Sequence, residues 1–271
     1  MASASGVNVG AAVGLGVAIV FDVLLPVAAV LWARRKLGVA WKVVGWGAAA
    51  FALSQLFTRV PLVQLLQYVL RDELKSSQVF MAVWMVILCV TAGLFEETAR
   101  LLAFRGPLKD FRRWKDAVGF GVGHGGLESA LLVGGMSVVA LINMVALAHM
   151  DPSTLKVPPD VVEQVQKAKD TFAAMRWWEP LLGAWERLAA MVFHVAMSVV
   201  VLQRFVRGQV RWYWLAVVLH TLFNGVGVGV AQLVGPLAAE GAVTVAALLG
   251  LWLLLRLRPR EPEPMPAASA A

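Results

Sequence analysis

The chain contains several apolar stretches of more than about 20 residues, separated by short polar segments. One helix of about 20 apolar residues is long enough to cross the roughly 30 Å hydrocarbon core of a bilayer. With 59% hydrophobic and only 15% charged residues, the chain has too little charge to cover the surface of a soluble domain of its length. The sequence therefore predicts an all-α, polytopic transmembrane helix bundle.

The apolar stretches predict seven spans and a single domain over residues 1–257. The spans are placed at residues 8–32, 43–69, 78–103, 117–148, 177–203, 212–234 and 237–256. The fourth is long and glycine-rich, so we expect it to tilt or break. The polar loop 149–176 contains a predicted amphipathic helix after Pro158-Pro159, which we expect to lie on the membrane surface. Residues 258–271 are rich in Pro and Ala and are predicted to be a disordered cytoplasmic tail.

The basic residues alternate between the two ends of the predicted spans. Fifteen of the 24 Lys and Arg residues fall in the first, third and fifth loops and in the C-terminal segment, and the opposite loops carry seven. The positive-inside rule then puts the N-terminus outside and the C-terminus in the cytoplasm. Because this bias accounts for most of the net charge of +7, no nucleic-acid partner is expected. We expect an integral protein of the inner (plasma) membrane of a prokaryotic cell, with the lipid bilayer as its surroundings.

Ionisable residues are scarce within the predicted spans and fall mainly into four clusters. Such side chains are costly in hydrocarbon, so each is a candidate for function. The clusters are Glu96, Glu97 and Arg100 in the third span, His124 and Glu128 in the fourth, His194 in the fifth, and His220 with Asn224 in the sixth. At about 1.5 Å per residue, all four lie roughly 10–18 Å below the predicted cytoplasmic surface. We expect them to meet in one buried pocket.

This set of side chains suits hydrolysis in two ways. Glu96 or Glu97 could activate a water, with the His and Asn side chains binding the oxyanion and transferring protons. Alternatively the residues bind a catalytic metal ion, for which zinc is the natural candidate. The metal ligands would then be His124, His194 and His220, with Glu128 as a fourth ligand or as the base. The one cysteine, Cys89, excludes a cysteine-based metal cluster.

The same residues resemble the motifs of known membrane proteases. Glu96-Glu97-x-x-Arg100, Phe120-x-x-x-His124 and His220-x-x-x-Asn224 resemble the three motifs of the CAAX-protease and bacteriocin-processing proteases. The first motif is one residue shorter than in that family and nearer the spacing of the PrsW group. Gly123–Glu128 and Glu186–His194 are similar to stretches of the YhfC-type intramembrane peptidases.

This resemblance covers about residues 90–226 and implies an intramembrane endopeptidase that acts on a membrane-associated protein or peptide. It implies catalytic positions at Glu96, Glu97, Arg100, His124, His220 and Asn224 and adds His194 from the YhfC-type pattern. It leaves open whether the mechanism depends on glutamate or on metal. Homo-oligomers are a further expectation.

Other functions fit parts of the pattern. Carboxylates and histidines at one depth also suit a proton- or ion-coupled transporter or channel. A non-catalytic scaffold, or a haem carrier that uses two of the histidines, is the third class. Glu186 with Arg187 fits a structural ion pair, and Asp22 fits a group that satisfies the backbone freed by Pro26. Gly121, Gly123 and Gly126 spell a GxGxxG motif without a preceding strand, so they indicate close helix packing instead of a dinucleotide site.

Overall fold

The computed structural model of the chain describes residues 6–259. In chain order the helices are α1 (Val9–Leu37), α2 (Trp41–Val69), α3 (Arg71–Ser76), α4 (Gln78–Arg105), α5 (Trp114–Ala148), α6 (Pro159–Ala174), α7 (Glu179–Val206), α8 (Arg211–Leu233) and α9 (Pro236–Arg256). Seven of them, all except α3 and α6, are long and apolar enough to span a membrane. Residues 6–259 contain no β-strand. The predicted all-α class and the seven spans are confirmed.

The first helix extends five residues past the predicted end of its span, from residue 32 to Leu37. Its last turn carries three basic side chains, which favour the negative end of the helix dipole. The helix stops at Gly38, whose φ of 62° lets its N–H bond back to the carbonyls of Ala33 and Arg34. The basic residues that orient the span are therefore part of the helix itself.

The glycine-rich fourth span does not break. It is one helix, α5, of 35 residues, in which the segment Glu128–Val133 is wound as a π-helix. A second π-helical segment, Ala52–Arg59, lies in α2. π-Helical turns widen a helix locally and often occur beside functional sites.

Helix α7 occupies the centre of the bundle. In its most apolar 18-residue window 78% of the residues are buried, against 11–28% in the other six spans. Helix α5 packs against α7, α2 and α1, and most of its glycines lie at these contacts. A Cβ on Gly121 would meet the backbone of Val195, and one on Gly123 would meet the backbone of Val44. The close helix packing predicted from these glycines is confirmed.

The polar loop 149–176 contains helix α6, as predicted, after Pro158-Pro159. Its C-terminal end is held by Asn8, whose Nδ2 donates to the carbonyls of Phe172, Ala173 and Met175 at 3.3, 3.1 and 2.7 Å. Phe172 also packs on a small apolar cluster formed by α1 and α5. Contact of α6 with the membrane surface stays a prediction. Of the predicted disordered tail, residues 260–271 lie outside the described residues.

Candidate active site

The structure brings side chains from α4, α5, α7 and α8 around one carboxylate oxygen. Oε2 of Glu96 lies 2.9 Å from Nε2 of His124, 3.7 Å from Nδ1 of His194 and 3.8 Å from Nε2 of His220. Nη2 of Arg100 lies 3.7 Å from the same oxygen. All five residues are buried. The four polar clusters of the sequence thus come within reach of each other inside the bundle.

The second glutamate of the pair has different partners. Glu97 is fully buried and forms an ion pair with Arg100, and its Oε1 lies 2.6 Å from Nδ1 of His220. Adjacent residues on a helix point about 100° apart, which is why Glu96 and Glu97 contact different groups. Nη2 of Arg100 also donates to Nδ1 of His194 at 2.7 Å. One guanidinium therefore neutralises Glu97 and holds an imidazole beside Glu96.

Glu128 lies at the edge of this group. Its Oε2 is 2.5 Å from Nε2 of His194, and its Oε1 accepts a hydrogen bond from Nη1 of Arg187 at 2.9 Å. Nη2 of Arg187 donates to Oε1 of Glu186 at 2.5 Å. The predicted Glu186–Arg187 ion pair therefore exists, and the structure also connects it to the histidine layer through Glu128.

Sequence reasoning missed two residues of the second span. Nε2 of Gln55 donates to Oε1 of Glu96 at 2.8 Å, and Oε1 of Gln55 accepts from Nη1 of Arg59 at 3.1 Å. Arg59 donates in addition to the carbonyl of Leu88 on α4 at 2.6 Å. The charge pattern places Arg59 with the basic residues of the loops, but it lies within α2. The signal is present in the sequence: Gln55 and Arg59 are four residues apart in a largely apolar span, so they share one face of the helix.

The backbone near Pro26 is satisfied in a different way from the prediction. A proline has no N–H, so the carbonyl of Asp22, four residues earlier, loses its helical partner. Oγ of Ser129 donates to that carbonyl at 3.0 Å. The Asp22 side chain is not the group that satisfies the freed carbonyl, and both of its carboxylate oxygens lack a hydrogen-bond partner among the described residues. The Ser129 hydroxyl on α5 therefore satisfies the freed backbone group, a role that the sequence predicted for the Asp22 carboxylate.

Three of the buried side chains could hold a metal ion. Each of Glu96, His124 and His194 offers one ligand atom within 4.8 Å of the other two. Bonds of about 2.0–2.1 Å in a tetrahedral zinc site put ligand atoms about 3.3 Å apart, and the 2.9 and 3.7 Å distances from Glu96 bracket that value. Nδ1 of His124 is buried without a hydrogen-bond partner among the described residues, which leaves it a polar atom to satisfy. The donor set is compatible with a metal ion.

This group differs from the predicted ligands His124, Glu128, His194 and His220. Glu96, for which the sequence predicts the role of a base, is the carboxylate that approaches both His124 and His194, whereas Glu128 contacts His194 from the other side and pairs with Arg187. His220 approaches Glu96 but faces Glu97 with its other ring nitrogen. The sequence identified all of these residues as candidates. The directions of their side chains decide that Glu96, His124 and His194 lie close enough together to share a metal ion.

A cavity of about 280 Å³ opens beside this group. It is lined by apolar side chains and by seven polar ones, Gln55, Arg59, Glu96, Glu128, His194, His220 and Asn224. Asn224 lies one helical turn beyond His220 and thus presents its amide to the same space. His124, Glu97 and Arg100 are not among the lining residues and lie behind them.

A comparison with known proteins assigns the chain to a family. The family model described as YhfC intramembrane metalloprotease matches residues 21–246. The chain belongs to the YhfC family. All residues of the polar group fall in the matched range. The chain is also 30% identical over 203 residues to the uncharacterized membrane protein YhfC of Bacillus subtilis (strain 168), a match that covers 74% of this chain and 78% of the relative.

No solved structure matches this YhfC-family chain significantly. The family membership and the seven apolar helices together make it an integral membrane protein. The resemblance to the YhfC-type peptidases seen in Gly123–Glu128 and Glu186–His194 is confirmed at the level of the family.

Proposed function

We propose that this protein is a metal-dependent intramembrane endopeptidase that hydrolyses a peptide bond of a membrane-associated protein or peptide. The observation that carries the proposal is the buried Glu96, His124 and His194 group beside a cavity within the helix bundle. Buried ionisable groups inside transmembrane helices mark functional sites by default. The description of the family as intramembrane metalloproteases agrees with this proposal.

In this proposal Glu96, His124 and His194 would hold a zinc ion, with Nδ1 of His194 binding the metal in place of the Arg100 N–H group that it faces in the structure. Zinc bound by nitrogen and oxygen ligands polarises a carbonyl group and activates a bound water. Gln55 orients Glu96 through the hydrogen bond to Oε1, so that Oε2 faces the histidines. Glu128 fixes the ring of His194 from its other nitrogen.

His220 is the proton-transfer group. With Nδ1–H donating to Glu97, Nε2 of His220 carries a lone pair and faces Glu96 at 3.8 Å, at the wall of the cavity. That nitrogen accepts a proton from the attacking water and returns it to the leaving amine nitrogen. Glu97 keeps the required tautomer, because Arg100 neutralises its charge and holds it in place.

Asn224 completes the arrangement as the group that binds the carbonyl oxygen. Its amide N–H₂ donates hydrogen bonds, and its position one turn from His220 puts both groups at the same peptide bond. Apart from the polar groups of the site and from Gln55 and Arg59, the cavity is lined by apolar side chains, which suit an apolar stretch of substrate.

The metal content of the purified protein tests the proposal. We expect near-stoichiometric zinc in the wild type and loss of most of it in His124→Ala and His194→Ala. His149→Ala is the matched control, because His149 ends α5 far along the chain from the polar group and should leave the zinc content unchanged. If metal-free protein cleaved a confirmed substrate at the full rate, the metal would not be needed and Glu96 would act as the base.

Two further properties are part of the proposal. The C-terminus lies in the cytoplasm and the polar group in the cytoplasmic half of a prokaryotic plasma membrane, an orientation that the distribution of Lys and Arg supports. A reporter protein fused after residue 257 tests this orientation. Activity of a reporter that works only in the periplasm would place the C-terminus on the outer side of the membrane.

The competing function is a proton-coupled transporter. Proton flux into liposomes that depends on Glu96 would favour it over the protease.

A further inference from the structure

An apolar groove of about 670 Å³ runs between α4 and α8 on the outside of the bundle. Met81, Met85 and Cys89 line it from α4, and Leu222, Gly225 and Gly229 from α8. Polar side chains, Lys75, Gln78 and Gln232, occur at the end where α4 begins and α8 ends. From Gln78 to Cys89 the groove covers about 16 Å of helix, or about half of a hydrocarbon core.

The groove arises because the two helices pack tightly at one level and diverge above it. A Cβ on Gly93 of α4 would lie 2.9 Å from both Oγ1 of Thr221 and the carbonyl oxygen of Val217, so the backbones touch there. Farther along α8, a Cβ on Gly225 or Gly229 would meet nothing within 4 Å. The helices therefore form a crevice that is closed at Gly93 and open toward Gln78 and Gln232.

The groove adjoins the candidate active site. Met85, Cys89 and Val228 line both the groove and the cavity that holds Glu96, His220 and Asn224. A chain that lies in the groove therefore reaches the polar group at the level of Cys89 without crossing the tight contact at Gly93.

We infer that the groove receives one apolar transmembrane segment of the substrate, which enters sideways from the bilayer between α4 and α8. The inference rests on the proposed function, because it supplies the route by which a peptide bond reaches Asn224 and His220. A peptide fits better than a lipid acyl chain for a physical reason. At the level of Cys89 the groove adjoins the cavity that Glu96, His220 and Asn224 line, and a peptide carries backbone groups that bond to such side chains, whereas an acyl chain leaves them unsatisfied.

The native Cys89 makes the inference testable, since it is the single cysteine and lies where groove and cavity meet. The probe is a synthetic Leu/Ala-rich single-span peptide with Lys flanks and one central cysteine activated as a mixed disulfide. It is reconstituted with the full chain in phosphatidylcholine vesicles. We expect a peptide–Cys89 disulfide that is competed by a thiol-free copy of the peptide.

A variant with a tryptophan in the groove tests whether the peptide occupies this space. Gly229→Trp fills open space in the groove, and we expect it to lower the yield of the disulfide about tenfold. Gly241→Trp is the control: a Cβ at Gly241 of α9 also meets nothing, but Gly241 does not line the groove, so the yield should not change. Competition by the thiol-free peptide on the wild-type chain reads the same interaction without any variant.

Three outcomes would overturn the inference: no disulfide with the peptide, a yield that the thiol-free peptide does not reduce, or labelling only by an acyl chain that carries the same activated disulfide. The last would make the groove a lipid site. The reaction needs neither metal nor catalysis, so a failed protease assay with intact peptide binding would count against the proposed chemistry and not against the groove.

Discussion

Nε2 of His124 lies 2.9 Å from Oε2 of Glu96, and this contact connects α5 to α4 across the interior of the bundle. Both side chains are buried, with the Glu96 side chain 7% exposed and that of His124 0%. A buried carboxylate is stable only with partners, and Glu96 has partners on α2, α5, α7 and α8. The behaviour of this one side chain therefore reports on most of the site.

Gln55 should act on metal binding without contacting the metal. Gln55→Ala removes the hydrogen bond to Oε1 of Glu96, and we expect zinc affinity to fall about 10- to 100-fold. Titration of the purified protein with zinc against a chelating dye measures this. Ser54→Ala is the control, because Ser54 is also buried in the π-helical segment but bonds only to the carbonyl of Phe51. Equal affinities in the two variants would contradict an orienting role for Gln55.

Removing one partner of the Arg100–Glu97 ion pair should destabilise the protein more than replacing both partners with apolar side chains. Both side chains are fully buried, so Arg100→Met leaves the buried Glu97 carboxylate with the His220 contact but without its charged partner and should lower the free energy of unfolding by about 3–5 kcal/mol. The double variant Arg100→Met/Glu97→Met should recover part of this loss. Unfolding in detergent micelles measures both.

Arg71→Ala is the matched control for that experiment. Arg71 pairs with Asp72 on the surface, with side chains 57% and 83% exposed, so its loss should change the free energy of unfolding by less than about 1 kcal/mol. If the double variant were no more stable than Arg100→Met alone, the unpaired Glu97 charge would not be the cause of the destabilisation.

A single methyl group on α5 should disturb His194. A Cβ on Gly121 would meet Cα of Val195 and lie 3.0 Å from the carbonyl oxygen of His194, so Gly121→Ala pushes α7 away from α5. We expect a destabilisation of about 1–3 kcal/mol and a reduced zinc content. Gly135→Ala on the same helix meets nothing within 4 Å and should be neutral or slightly stabilising. Similar melting temperatures for the two variants would argue against this close contact.

The Ser129 hydroxyl should be needed only because of Pro26. Ser129→Ala leaves the buried carbonyl of Asp22 without a donor, at a cost of about 1–3 kcal/mol. Pro26→Ala restores an N–H that bonds to the same carbonyl, so in that background Ser129→Ala should cost about 0–1 kcal/mol. A double-mutant cycle on unfolding free energies measures the difference. Additive effects would show that the two residues do not share this carbonyl.

Much of the architecture is predictable because a bilayer demands it. A span needs about 20 apolar residues, and every backbone group within it must be satisfied inside a helix, so hydropathy alone indicates seven helices. Ionisable residues stand out against such a background, which is why Glu96, His124, His194 and His220 are candidates on hydropathy alone. The extra turns of α1 beyond residue 32 are missed, since basic side chains resemble a loop although they continue the helix.

The sequence by itself determined the seven helices and the identity of the candidate polar side chains. Only the tertiary structure decided that Glu96 and not Glu128 approaches both His124 and His194, and that Gln55, Arg59 and Arg187 join the group. The reason is rotation: which face a helix turns inward depends on its packing, here at the glycines of α5 and at two π-helical segments that contain Gln55 and Glu128. Hydropathy indicates the spans and therefore the depth at which each residue lies. Helix packing sets the direction in which its side chain points.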